Sequence, residues 1–341
     1  MRAAILHGKD DLRVEEAPGM PLQPGEVRVS IMAALTCGTD LKVYRRGYHA
    51  RMGVPPFRFG HEWSGVVAEV APDVQSHAPG DRVVAANSAP CGHCAPCKRR
   101  QESLCDNLLF LHGAYAQSIV VPAEIVRKNL LHVPNDMGWS DAALTEPLAC
   151  VVQGIDDVGI EPGDRVLVLG AGPIGLMAVA LARHAGARVS VIGRGQGRLA
   201  MARRLGALDA FENTAPADIV APPGTEGAFD VVFEAMGRTF AWEAALRFVR
   251  KGGRINWFGG CPSGTTVAVD TVRMHYDALT LKATFHHTPR TIRRALSLIA
   301  ERVVTADAFV DGRCTLSNLP ALFRDMASGN RAVKTLVDVS A

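Results

Sequence analysis

Apolar and polar positions change rhythm near residue 155. Before that point, short β-type runs are broken by proline and glycine, as in Val27 to Ile31, Gly65 to Val70, Arg82 to Ala86 and Gln117 to Val121. Such a pattern predicts a small, irregular, β-rich unit. After it, apolar runs short enough for buried parallel strands alternate with stretches of helical period. Arg165 to Leu169 predicts a strand, Ile174 to Ala185 a helix, Arg188 to Ile192 a strand and Leu199 to Leu205 a helix. Asp230 to Phe233 follows as a strand, then Phe240 to Val249 as a helix ended by Gly252-Gly253, and Arg254 to Phe258 and Leu279 to Thr284 as further strands. The alternation predicts an α/β, doubly wound parallel sheet. Beyond about residue 286, a helix over Arg290 to Glu301 and a strand-like run at Lys334 to Val339 are expected to return to the first domain. The division expected is 1–152, 153–286 and a returning tail, 287–341.

A length of 341 residues with 48% hydrophobic content suffices for two buried cores. A net charge of +3, with no long basic run interleaved with aromatics, argues against a nucleic-acid partner. The N-terminus turns polar at His7 to Asp11, too early for a signal peptide, and no apolar run approaches a membrane span. A cytoplasmic protein without a membrane partner is expected. In a reducing compartment the eight cysteines need an explanation other than disulfides.

Four of them supply one. Cys91, Cys94, Cys97 and Cys105 are spaced C-x2-C-x2-C-x7-C in a lobe of about 88–108. Four thiolates in one loop close a tetrahedral shell around zinc and leave no position for substrate, so this ion is expected to be structural. A second chemistry-bearing stretch is Gly170-Ala171-Gly172-Pro173-Ile174-Gly175, between a predicted strand and a predicted helix. Gly170 allows a tight turn, Gly172 lets a pyrophosphate approach the backbone, and Gly175 lets helix and strand pack closely. The helix offers its positive end to the phosphates. At the end of the next strand, Gly193-Arg194-Gly195-Gln196-Gly197-Arg198 holds no carboxylate for a ribose 2′-hydroxyl. Arg194 and Arg198 are suited to a 2′-phosphate, which favours NADP over NAD.

Catalytic-type metal ligands come from three separate places: Cys37 with Thr39 two residues on, His61-Glu62 after Gly60, and Glu146 in Thr145-Glu146-Pro147-Leu148. A thiolate, an imidazole and a carboxylate suit zinc that keeps a position for substrate. Spacing alone does not join them.

Gly60-His61-Glu62-Trp63-Ser64-Gly65, with Ala71 and Val74 downstream, resembles the signature of zinc-containing alcohol dehydrogenases. With the cysteine lobe, the Gly170 turn and Glu146-Pro147-Leu148, the chain is most similar to the sorbitol and threonine dehydrogenase branch of the medium-chain dehydrogenase/reductase superfamily. The resemblance implies a GroES-like catalytic domain, a Rossmann domain and a homodimer or homotetramer. It further implies catalytic zinc on Cys37 and His61, completed by Glu62 or Glu146, so that each chain carries two zinc ions. Thr39 resembles the family's proton-relay hydroxyl.

Two departures bear on specificity. The acidic ribose ligand is missing, and Phe285-His286-His287 stands where sorbitol dehydrogenases carry an arginine, so Phe285 and His287 are candidate cofactor contacts. Lys42, Tyr44, Arg45, Arg46, His49 and Arg51 lie where relatives build part of the substrate cleft, although a solvated loop of mixed charge is the commoner use of such a run. The expected reaction moves a hydride between NADP(H), with NAD(H) as the alternative, and a polyol, sugar alcohol or other secondary alcohol, giving the ketone. A threonine-type amino-alcohol dehydrogenase is the nearest alternative. A catalytically silent nucleotide-binding relative is a third, and it should have lost ligands that are present.

Overall fold

The computed structural model describes residues 1–48, 53–329 and 332–340. Two compact units are resolved: Cys150–His287, and Met1–Ala149 together with Thr288–Ala341.

In the unit Cys150–His287, six parallel strands lie in the order Asp209–Glu212, Arg188–Gly193, Arg165–Leu169, Phe229–Glu234, Val249–Trp257, Thr280–Ala283. The order reverses between Arg165–Leu169 and Phe229–Glu234, the Rossmann switch point, and ligands of such sheets bind beyond the carboxyl ends of the strands there. Central strands are covered on both faces, which is why Val166 to Leu169 form an unbroken buried run. Leu167, Leu169, Ile192, Val232, Ala245, Phe248 and Ile255 share one core.

Two local expectations are corrected. A strand at Asp209–Glu212 was not expected, because four residues with an acid at each end show no apolar period. Gly252-Gly253 does not end the helix: Thr239–Phe248 passes directly into the strand Val249–Trp257, and the glycines sit inside that strand. The ladder with the strand Phe229–Glu234 shifts register there. Gly252 has φ +68°, and a Cβ on Gly253 would stand 2.5 Å from Val249 Cγ2. The pair serves a bulge, where a left-handed backbone and a close approach both demand glycine.

The other unit is built on a sheet ordered Leu130–His132, Arg82–Ala85, Glu62–Val70, Val27–Leu35, Lys334–Asp338, Val310–Thr315, with Ser118–Val121 also paired to Val27–Leu35. Val27, Val29, Trp63, Val67, Val83, Tyr115 and Phe323 belong to its core. The tail is integral to this unit. Leu336 and Val337 pair antiparallel with Leu35 and Ala34. Phe323, on the helix Leu319–Ser328, packs its ring at a tilt against those of Tyr44 and Phe59, each centroid 5.5 Å away. A short antiparallel pairing of Ser88–Ala89 with Leu109–Phe110 closes the neck of the cysteine lobe. Among the described residues, no helix is long and apolar enough to cross a membrane.

Candidate metal centre and nucleotide-binding turn

Cys37 is the N-cap of the helix Gly38–Arg46, and its Sγ accepts the Thr39 N–H at 3.4 Å. His61 enters from the strand side, immediately after Gly60. Gly60 has φ +89°, and a Cβ there would lie 2.6 Å from the Tyr115 ring, so glycine is required both by the turn and by the packing of Tyr115. That packing is useful, because Tyr115 Oη donates to Asp40 Oδ2 at 2.7 Å and Asp40 Oδ1 accepts from His61 Nδ1 at 2.8 Å. Asp40, on the same helix as the Cys37 cap, is 1% exposed. With Nδ1–H committed to a carboxylate, the imidazole orientation is fixed and Nε2 is left as the ligand atom, the outer-shell arrangement of metal-binding histidines.

Ligand atoms of Cys37, His61 and Glu62 all lie within 4.8 Å of one another. Glu62 is fully buried. Its Oε2 accepts from Lys334 Nζ, and its Oε1 has no hydrogen-bond partner among the described residues. A buried carboxylate with one oxygen unpartnered, grouped with a thiol and an imidazole, is a donor set that fits zinc. Burial pushes Glu62 above the usual carboxylate range, against the pull of Lys334 and His61. Burial likewise opposes charge on Lys334, but Glu62 and Cys37 outweigh it and hold the ammonium above its ordinary value. Glu146, in the first turn of the helix Thr145–Val158, stands outside the triple. Burial, with Glu62 adding to it, moves its pKa up to about 7.

The structure also brings Cys91, Cys94, Cys97 and Cys105 together, ligand atoms within 4.8 Å, with no disulfide among these four. Cys94 Sγ and Cys105 Sγ are 3.8 Å apart. Backbone N–H of His93 lowers the Cys91 thiol to about 6, whereas burial raises Cys97 to about 12. Four sulfurs on one point and no open direction form a closed shell, and a divalent cation there would hold all four as thiolates.

In the Rossmann unit, Gly170 takes φ +107°, and a Cβ on it would lie 2.8 Å from Met236 Cγ. A Cβ on Gly175 would stand 1.8 Å from the Gly170 carbonyl oxygen, whereas one on Gly172 would meet nothing within 4 Å. Gly172 caps the helix Pro173–His184 and offers no side chain to its amides, so Ile174 and Gly175 lie in a first turn open to an anion. Gly193 packs against Ala171, 2.5 Å from its Cβ for an added methyl. The exposed Arg194 reaches the carbonyls of Asn213, at 3.2 Å, and Ala215. Arg198 lies in the first turn of the helix Gln196–Arg204.

Sequence reasoning missed Glu212, because the strand carrying it has no apolar signal. Glu212 is in register with Gly193 and accepts from Gly195 N–H at 3.3 Å and from Gln196 Nε2. A carboxylate therefore does stand at the end of the second strand, delivered by its neighbour. Asp40, Tyr115 and Lys334 were missed as well. His286 follows the sixth strand with φ +65°, its ring centroid 3.9 Å from that of the buried His287 and tilted to it by 35°, while Phe285 is 44% exposed.

Thr39 is half-buried, and its hydroxyl makes no hydrogen bond among the described residues. Two residues of the run near it are engaged elsewhere: Tyr44 is buried with its hydroxyl on the Asp10 carbonyl, and Arg45 reaches the Ala327 carbonyl. His49 and Arg51 lie outside the described residues.

Residues 23–135 match the alcohol dehydrogenase GroES-like domain, and residues 173–301 match the zinc-binding dehydrogenase family. D-altritol 5-dehydrogenase of Agrobacterium fabrum is 34% identical, with 94% of each chain covered. Sorbitol dehydrogenase of Bacillus subtilis is 28% identical over 99% of this chain and 97% of its own. L-threonine 3-dehydrogenase of Bacillus licheniformis is 35% identical over 75% of each. Among solved structures, a zinc-binding dehydrogenase of Sinorhizobium meliloti bound to NADP superposes with TM-score 0.88 at 29% identity, covering 99% of this chain and 98% of that one. The chain belongs to the zinc-dependent medium-chain dehydrogenases, in the branch of the sorbitol and threonine dehydrogenases. It is accordingly a zinc-dependent alcohol or polyol dehydrogenase.

Proposed function

We propose that the protein oxidises a polyol or sugar alcohol at a secondary carbinol, with NADP as the preferred acceptor, and reduces the matching ketone in reverse. The observation that carries this reading is the triple of half-buried Cys37 with buried His61 and Glu62, with Asp40 orienting the imidazole. When bound, zinc supplies Lewis acidity that lowers the pKa of an alcohol hydroxyl, and the nicotinamide supplies the hydride acceptor. This chain's residues do the rest. Cys37 and His61 hold the metal with a carboxylate, Glu62 standing in the triple and Glu146 in reserve beside it. Thr39, whose hydroxyl makes no hydrogen bond among the described residues, relays the proton that leaves the alcohol oxygen, accepting it while handing its own to solvent, as the carbinol hydride passes to the nicotinamide. The four lobe cysteines hold a second, structural zinc.

The Gly170–Gly175 turn receives the pyrophosphate on the amides opening the helix Pro173–His184. Phe285 and His287, just past the sixth strand, are the candidate contacts on the cofactor side. Arg194 is the ligand for a 2′-phosphate, with Arg198 second. Glu212 would oppose that anion, but two N–H donors already occupy its carboxylate. A polyol is supported by relatives matched along nearly the whole chain. An amino-alcohol such as threonine is the second reading, favoured by 35% identity over a shorter span. A cytoplasmic homodimer or homotetramer is the expected form.

The deciding experiment is a panel of polyols, sugars and amino-alcohols assayed with NAD and NADP in parallel, on wild type and Arg194→Ala. Polyol activity with NADP ahead, and that lead lost in Arg194→Ala, is expected. A wide preference for NAD would overturn the cofactor reading, and turnover of amino-alcohols alone would overturn the substrate reading.

A further inference from the structure

The last strand, Lys334–Asp338, begins with a lysine that is 2% exposed. An ammonium is buried only where partners compensate its lost hydration. Among the described residues Lys334 Nζ has two: the Thr36 carbonyl at 3.1 Å and Glu62 Oε2. The same strand also grips Thr36 through its backbone, Thr335 N–H donating to Thr36 Oγ1 at 2.9 Å and Thr36 N–H to the Thr335 carbonyl at 3.0 Å. Lys334 is thereby fixed beside the residue that precedes Cys37. Glu62 is shared: one carboxylate oxygen is held by Lys334, the other has no hydrogen-bond partner among the described residues, and the carboxylate belongs to the group with Cys37 and His61.

We propose that Lys334 is a positioning residue that competes with the catalytic metal for Glu62, holding that carboxylate back so that the ion is bound less tightly and keeps a coordination position for substrate. The inference rests on the reading that Cys37 and His61 hold a metal. The physical argument is one of counter-charge. A buried carboxylate must be compensated, and two cations face Glu62 once the metal is in place. Removing the ammonium while keeping its volume leaves the metal as the counter-charge, and Glu62 closes onto it. A merely structural lysine predicts the opposite sign, because a damaged site releases its ion faster.

The test follows zinc loss from the purified holoenzyme to a chromophoric chelator, on the phase that is missing in His61→Ala. Lys334→Met is expected to slow that phase by about tenfold, the scale on which outer-shell partners move metal affinity, and to lower kcat; Lys334→Arg is expected to restore the wild-type rate. Loss from Lys334→Met at the wild-type rate or faster would overturn the proposal. Should Lys334→Met not fold, the neutral pair Lys334→Met/Glu62→Gln decides. Its zinc loss must equal that of Glu62→Gln alone, and faster loss from the pair would show that Lys334 acts independently of Glu62. An identical zinc-loss profile in wild type and His61→Ala would instead sink the metal reading itself.

Discussion

Glu234 ends the fourth Rossmann strand, fully buried, with Oε1 accepting the N–H groups of Met236 at 2.6 Å and Gly237 at 2.9 Å. Its Oε2 has no hydrogen-bond partner among the described residues. Burial raises its pKa to about 7, with the backbone N–H groups pulling the other way. A carboxyl whose pKa is higher folded than unfolded binds more protons when folded, so ionising it costs stability as pH rises from the unfolded value of 4.5 towards 7. A shift of about 2.5 units is worth about 3 kcal/mol once both states are ionised. Glu234→Gln copies the neutral acid, keeping an acceptor for the two N–H groups and a donor at the open oxygen. The variant should therefore gain on wild type as pH rises, the gap in unfolding free energy widening by roughly 2–3 kcal/mol between about pH 5 and pH 8.5. Urea unfolding at the two pH values, read by a probe in the Rossmann unit, measures it. A gap that is the same at both pH values would refute the reasoning, because the mutation would then act through packing and not through the proton.

Asp40→Asn should keep the shape of the His61 contact but lose its charge, lowering zinc affinity by about 10–100-fold, measured by chelator competition. Gly175→Ala places a methyl 1.8 Å from the Gly170 carbonyl, so dinucleotide affinity should fall steeply while lobe zinc is retained; fluorescence titration together with metal analysis separates the two. Cys97→Ser should release the lobe zinc and lower thermal stability, leaving His61-dependent zinc in place, which two-site metal analysis would show.

What was legible beforehand was local. The Gly170 turn announces itself because its three glycines stand at fixed offsets within one strand–turn–helix, two of them at close approaches and Gly172 facing open space. The cysteine lobe does so because its four sulfurs are supplied by a single loop. Strand and helix periods placed most of the Rossmann sheet for the same reason. What stayed hidden needed partners from elsewhere in the chain. Asp40 reads as an ordinary acid in a helical first turn until Tyr115 and His61 are brought against it. Lys334 reads as a charged strand residue until its burial against Glu62 is seen. The strand ending at Glu212 is four residues long with an acid at each end, and its place is set by pairing with Arg188–Gly193 alone. Which candidate ligands stand together is likewise a tertiary fact: Glu62 joins Cys37 and His61, and Glu146 is not in that triple.

The placement of the final strand has a consequence for biogenesis. Thr335 and Thr36, bonded to each other, are 299 residues apart in the chain. A protein made from its N-terminus emerges with the Cys37 segment, the four-cysteine lobe and the whole Rossmann unit before Lys334 leaves the ribosome. Until then the Thr36–Cys37 loop has no clamp and Glu62 no lysine, so the nascent enzyme can load its lobe early but finishes its reactive centre last.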